Sequence, residues 1–227
     1  MFENAEIDHL LNFVGYGDKN ADTWFLGMEE GGGGEDNLRA RLGFSQFEDN
    51  YEAHKKLGIL KFHEGKRTIQ RTWRGMSVLS LMLDDKPFDT EAVRQHQAEL
   101  LGRAGSNTLL CELMPLPKAS IGSWGYEKLI PQFASRESYY KTVMPGRITR
   151  LKALYAEHRP SVVVAYGKAF WSSYKQVFRD VTFTQDDGFE IGRTEQGVIV
   201  LCGHFTARTM NGKLPELAAK IKAYVQR

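Results

Sequence analysis

Cysteine is scarce in this chain. Cys111 and Cys202 are the only two in 227 residues, and both lie in apolar runs. A disulfide framework is therefore excluded, and buried free thiols in a reducing cytosol are expected. Two cysteines also cannot hold a four-cysteine iron–sulfur cluster. No two of the six histidines stand at metal-ligand spacing, so no zinc site is expected, and the chemistry considered below needs no cofactor. The sequence has no apolar run near the roughly 20 residues of a membrane span. Its first residues, Met1-Phe2-Glu3-Asn4-Ala5-Glu6, are acidic and carry no basic segment followed by an apolar one. No secretory signal is expected, and a cytoplasmic location follows. Lys168 follows Gly167 without the upstream glycine and downstream Ser/Thr of a P-loop, which argues against phosphoryl transfer. Net charge is only +2, too small to argue for nucleic acid, so a local patch must carry any such role. There is no internal repeat, and the only low-complexity tract is four successive glycines.

What is present is a globular composition, 42% hydrophobic and 26% charged, over a length that one domain (1–227) can fill. A monomer is the simplest expectation. The organising stretch is Trp24-Phe25-Leu26-Gly27-Met28-Glu29-Glu30 followed by Gly31 to Gly34. An apolar run that stops in carboxylates and glycines reads as a buried strand (23–27) opening into a loop where backbone meets a ligand. Three more apolar runs behave alike. Residues 108–111 end at Glu112, 161–165 end at Tyr166-Gly167, and 198–202 end at Gly203-His204.

Helical spacing places helices over 4–14 and 68–83, and further helices are expected over 35–42, with acids in its first turn, and over 48–57, 90–101 and 168–178. Another begins at Pro145 and closes at Pro160, and the last begins near Pro215. Thr90 is expected to cap its helix. Residues 119–135 read as loop, and 181–194 as edge strands or a hairpin. Apolar strands alternating with helices imply an α/β fold, a three-layer α/β/α sandwich around a mainly parallel four-stranded sheet. In such sheets ligands bind at the carboxyl ends of the strands. Glu29, Glu30, Glu112, Tyr166 and His204 should then gather at one edge.

Each feature also has a plainer reading. The glycine run is either a mobile surface loop or a cradle of backbone amides. Glu29 and Glu30 are either helix caps or site carboxylates, and Glu112 is either a partner for a neighbouring amide or arginine, or a reader of ligand. The basic stretch Lys66, Arg67, Arg71 and Arg74 is either a solvated helix face or a phosphate-binding surface.

Taken together, these motifs resemble the uracil-DNA glycosylase superfamily. Gly27-Met28-Glu29-Glu30-Gly31 is similar to its first motif, a turn begun by glycine with a polar residue in third place. Phe44-Ser45 resembles the phenylalanine on which the flipped base stacks. Gly203-His204-Phe205-Thr206-Ala207-Arg208 resembles the second motif, which begins with histidine. Val162 to Ala169 resembles the third strand and its helix. The family usually has proline where Glu30 stands, continues histidine-proline-serine where Phe205 and Thr206 stand, and offers asparagine where Glu112 stands.

The resemblance implies a DNA glycosylase for DNA repair, a hydrolase that flips out a damaged or deaminated base. Glu29 would stabilise the sugar cation or orient water, and His204 would stabilise the leaving base. Phe44 would stack on that base, while Gly27, Met28, Glu30, Gly31, Glu112 and Thr206 would line its site. Arg67, Arg71, Arg74 and Arg208 would contact DNA phosphates. An ionised Glu112 only accepts hydrogen bonds, which favours a purine edge over uracil. Two other readings stand beside this one. One is a protein that binds a base, nucleotide or nucleic-acid end without cutting. The other is a hydrolase of free nucleosides or another small ligand, which needs no basic surface.

Overall fold

A computed structural model describes residues 1–120 and 122–225. Ile121, inside the loop expected over 119–135, lies outside the described residues. The elements are, in order, α1 (Asn4–Leu11), β1 (Gly15–Gly17), β2 (Thr23–Gly27), α2 (Glu35–Arg41), β3 (Phe47–Glu48), α3 (Asn50–Lys56), α4 (Arg71–Leu83), α5 (Thr90–Glu99), β4 (Thr108–Glu112), α6 (Arg136–His158), β5 (Val162–Tyr166), α7 (Trp171–Val177), β6 (Phe183–Asp186), β7 (Phe189–Arg193), β8 (Val198–Cys202) and α8 (Leu214–Val225).

The fold is α/β, and the sheet is larger than the four strands expected. Among the described residues eight strands pair in the order β3-β1-β4-β2-β5-β8-β7-β6, and the sheet is mixed. The four apolar runs form its contiguous parallel centre, β4-β2-β5-β8. On one flank β1 runs antiparallel to β4 and carries the two-residue β3. On the other flank the β6–β7 hairpin joins β8 antiparallel. Gly15-Tyr16-Gly17 and Phe47-Glu48 are too short to show a period of two, which is why composition did not reveal them as strands.

Side chains alternate across the central strands because a strand's side-chain period is two. Trp24, Leu26, Leu109, Cys111, Val163, Ala165, Ile199 and Leu201 enter one apolar cluster with side chains of α1, α2, α6 and α7. Phe25, Leu110, Val164, Val200 and Cys202 enter a second cluster with α3, α4 and α8. Both faces of the sheet are thus covered, which explains why its central strands are apolar throughout. Each fully buried Leu, Val or Phe contributes roughly 1.5–3 kcal/mol to the fold. Cys111 and Cys202 are buried free thiols, and burial pushes the Cys202 thiol up to about 12.

Several helices are shorter than expected: α1 ends at Leu11, α3 begins at Asn50 after Glu48 has joined β3, and α4 begins at Arg71. Two starts differ in kind. Pro145 lies inside α6, which starts nine residues earlier at Arg136 under a Ser135 cap. Proline removes one helical N–H. The helix continues because it is buried on both sides of that break, by Tyr139 and Val143 before it and by Arg147 and Leu151 after it. Asp89, not Thr90, caps α5 by accepting from the N–H groups of Glu91 and Ala92.

Candidate functional site

Parallel pairing of β4, β2, β5 and β8 brings their carboxyl ends to one edge, and a pocket of about 290 Å³ opens there. Small-molecule sites begin at about 300 Å³. Met28, Glu29, Glu30, Gly31, Glu112, Tyr166, Gly167 and His204 all contribute to its wall, so residues from all four central strands converge. Gln70, Thr72 and Trp73 approach from α4 and its cap. Lys118, Ala119, Ser120 and Phe170 close the remaining sides.

The first motif is held by the loop that follows β4. Leu113 N–H donates to the Gly27 carbonyl at 2.9 Å, Met114 N–H to Met28 at 2.7 Å, and Lys118 N–H to Glu30 at 2.9 Å. Gly32 N–H donates back to the Lys118 carbonyl at 3.1 Å. The glycine run is itself fastened at two points, by that bond and by Gly34 N–H donating to Tyr126 Oη at 3.3 Å. Gly33 has a φ of 104°, and a Cβ there would stand 2.4 Å from Tyr126 Oη and 2.8 Å from the Pro117 carbonyl oxygen. Glycine is needed for both conformation and space.

The two adjacent carboxylates have different surroundings. Glu30 faces inward to β1 and α2. Its Oε2 accepts from Tyr16 Oη at 2.7 Å and from the buried Arg41 guanidinium. Glu29 forms an ion pair with Lys118, whose Nζ is 2.8 Å from Oε1, and both side chains are nearly inaccessible, at 3% and 2%. Tyr140 of α6 donates to Glu29 Oε2 at 2.8 Å and accepts from Lys118 Nζ at 3.1 Å.

Glu112 accepts from Tyr166 Oη at 3.1 Å through Oε1. Its Oε2 is shut off from solvent with no hydrogen-bond partner among the described residues. Burial, reinforced by the nearby Glu30 charge, pushes its carboxyl up to about 8. A carboxyl so placed is mainly neutral at pH 7 and carries an O–H donor as well as an acceptor. Behind it, Arg147 donates to the Glu112 and Leu113 carbonyls at 2.8 and 3.1 Å and fixes the strand end.

His204 Nδ1 accepts from the Thr206 N–H at 3.3 Å and lies 2.8 Å from Thr206 Oγ1. Burial lowers its pKa, so the ring is neutral near pH 7, with Nε2 as the N–H donor. Thr206 thus orients the histidine and does not itself line the pocket. Gly27 lies beneath the wall, against Glu112 and Tyr166.

Phe44 lies elsewhere. It is buried against Phe13 and Tyr16, and it borders a separate crevice of about 90 Å³. The aromatic side chains on the main pocket's wall are Trp73, Tyr166 and Phe170. Trp73 stands at the start of α4 and also packs against the second apolar cluster, and an apolar residue at helical spacing is ordinarily core. Lys118 and Tyr140 carried no motif, because their meeting with Glu29 depends on contacts between distant segments. Of the basic residues, Arg71, Arg74 and Arg208 are exposed, whereas Arg67 is paired with Glu99 at 2.7 Å. Arg71 and Arg74 lie on the same first turn of α4 as the pocket residues Thr72 and Trp73.

Among the described residues, no group of three or more His, Cys, Asp or Glu side chains could hold a metal ion, and no helix is long and apolar enough to cross a membrane. The chain matches no model of a known protein family and no curated protein.

Proposed function

We propose that this protein is a DNA glycosylase-like hydrolase, which flips a damaged or deaminated base out of DNA into the pocket at the carboxyl edge of the sheet. The observation that carries this reading is the convergence of Glu29, Glu112 and His204, each at or just after the end of a different central strand, on one pocket. The helices on both faces of the sheet are read here as a three-layer α/β/α sandwich, the architecture that the resemblance to the uracil-DNA glycosylase superfamily implies.

Breaking an N-glycosidic bond develops positive charge on the sugar and negative charge on the departing base. In this reading the neutral His204, with Nδ1 engaged by Thr206, offers its Nε2–H to an oxygen of the base. Glu29 stands by the sugar to stabilise its cation or orient water. Trp73 and Phe170 take the stacking role on the flipped base. A neutral Glu112 offers a donor beside an acceptor, as an amide does. That edge suits a lactam such as O4 with N3–H of uracil or O6 with N1–H of hypoxanthine. The purine preference expected from an ionised Glu112 then no longer holds. Arg71 and Arg74 reach phosphates beside the pocket mouth.

Oligonucleotides with single uracil, hypoxanthine or xanthine residues, cleaved afterwards with hot alkali, test the reading. One lesion should be released, and Glu29→Gln should slow release at least about tenfold under single-turnover conditions while leaving binding intact. Release unchanged in Glu29→Gln removes Glu29 from the chemistry. Tight binding without release from any lesion favours the second reading, a base-binding protein that does not cut. The neutralisation of Glu29 by Lys118 is the observation on that side.

A further inference from the structure

The Glu29–Lys118 pair is difficult to reconcile with a purely dissociative cleavage. Glu29 is the carboxylate placed beside the sugar, yet an ammonium stands 2.8 Å from it in the same pocket. A fixed positive charge there repels the cation that forms at C1′. Lys118 is not a loose surface side chain. Its amide donates to the Glu30 carbonyl at 2.9 Å, its carbonyl accepts from Gly32 N–H at 3.1 Å, and its side chain is 2% exposed. Glu29 and Lys118 both line the pocket, so the ammonium stands beside the carboxylate that a ligand would meet. The pair has a use once the base has left: Lys118 can pass a proton to Glu29 and become an amine with a lone pair. Tyr140, which bonds to both groups, links them. Burial draws the Lys118 ammonium below its usual range, with Glu29 opposing the shift and Arg136 reinforcing it.

We propose that Lys118 is an amine nucleophile of this pocket, placed to form an imine with the C1′ aldehyde of a base-free deoxyribose in DNA. The proposal rests on the base-excision reading above, and it adds a lyase step to it. Glu29 takes the proton from the Lys118 ammonium. The Nζ lone pair attacks C1′ of the ring-opened sugar, and the carbonyl oxygen takes a proton to give a carbinolamine. Loss of water leaves a protonated imine. In balance, ammonium and aldehyde give iminium and water, and Glu29 ends as a carboxylate. That carboxylate then removes the C2′ proton. The C2′–H pair forms a C2′=C3′ double bond, the C3′–O bond breaks, and the phosphate leaves with the C3′–O bonding pair. Water hydrolyses the imine and restores Lys118. No oxidant or reductant enters.

The test incubates the full chain with an oligonucleotide carrying one preformed abasic site, adds sodium borohydride to reduce any imine to a stable amine, and maps the adduct by peptide mass. The expected result is a covalent protein–DNA adduct on Lys118. It should fall at least a hundredfold in Lys118→Arg, which keeps the positive charge but cannot form the imine. The double variant Lys118→Gln/Glu29→Gln should lose it equally, without stranding a buried charge. No adduct, an adduct on another lysine, or an undiminished adduct in both variants overturns the proposal. A preformed abasic site bypasses base removal, so the two readings fail separately. An adduct on Lys118 without release from any lesion leaves the nucleophile and removes the glycosylase. Release without an adduct does the reverse.

Discussion

Gly27 and Glu112 are register partners on neighbouring parallel strands, and a Cβ on Gly27 would stand 2.2 Å from Glu112 Oε2. The same atom would stand 2.3 Å from Tyr166 Oη. The glycine that opens the first motif therefore serves the carboxyl at the end of the next strand. It leaves the space in which Glu112 and Tyr166 meet.

Gly27→Ala should push that pair apart. Both side chains are enclosed, so neither can swing clear cheaply. Overpacking of this kind costs about 1–3 kcal/mol. Urea unfolding should show that loss, and oligonucleotide binding should fall with it. A variant with wild-type stability and binding would mean that the two side chains have room to move.

The Glu112 carboxyl gives a pH dependence of definite sign. Its folded pKa, about 8, lies above the ordinary 4.5. The native state thus holds this proton more tightly than the unfolded chain. Stability from this group is fully present below about 4.5 and is lost as pH rises through about 8. Binding of a lactam base should weaken over the upper part of the same range, as the donor ionises. Glu112→Gln should flatten both profiles, read by thermal unfolding and by fluorescence anisotropy between about pH 6 and 9. Profiles that keep their slope in Glu112→Gln would assign the titration to another group.

Glu30 should prove a structural residue. Arg41 is buried with only 3% of its side chain exposed, and Glu30 and Tyr16 are its partners at the strand edge. Glu30→Ala strands that guanidinium, and breaking a buried pair in this way costs about 3–5 kcal/mol. Arg41→Met/Glu30→Met, which removes both charges, should recover much of the loss. A single variant as stable as the wild type would mean that water reaches Arg41.

Arg71→Ala/Arg74→Ala should weaken binding to all DNA sequences alike. The slope of log affinity against log salt should decrease by about two, one for each phosphate no longer neutralised. Arg67→Ala should change that slope less, since Arg67 is already paired with Glu99. An unaltered slope in the double variant would mark this helix start as solvated surface.

The four central strands, and where each ends, were legible in the chain alone. Buried parallel strands must be apolar on both faces, and such runs are visible without any partner. The same runs placed Glu29, Glu112 and His204 at strand ends, and parallel pairing was enough to bring them to one edge. The short flanking strands β1 and β3 lacked that signature, and Pro145 suggested a helix start because the burial that carries α6 through it comes from other segments. Which charges meet was settled by the folded molecule. Glu29 and Glu30 are neighbours in the chain, yet one faces Lys118 and Tyr140 and the other faces Arg41 and Tyr16. Phe44 went to the second core cluster while Trp73 and Phe170 took the pocket wall. The physical reason is range. Periodicity and turn chemistry act over a few residues, whereas the partners of a buried charge come from up to 111 positions away, as with Tyr140 and Glu29.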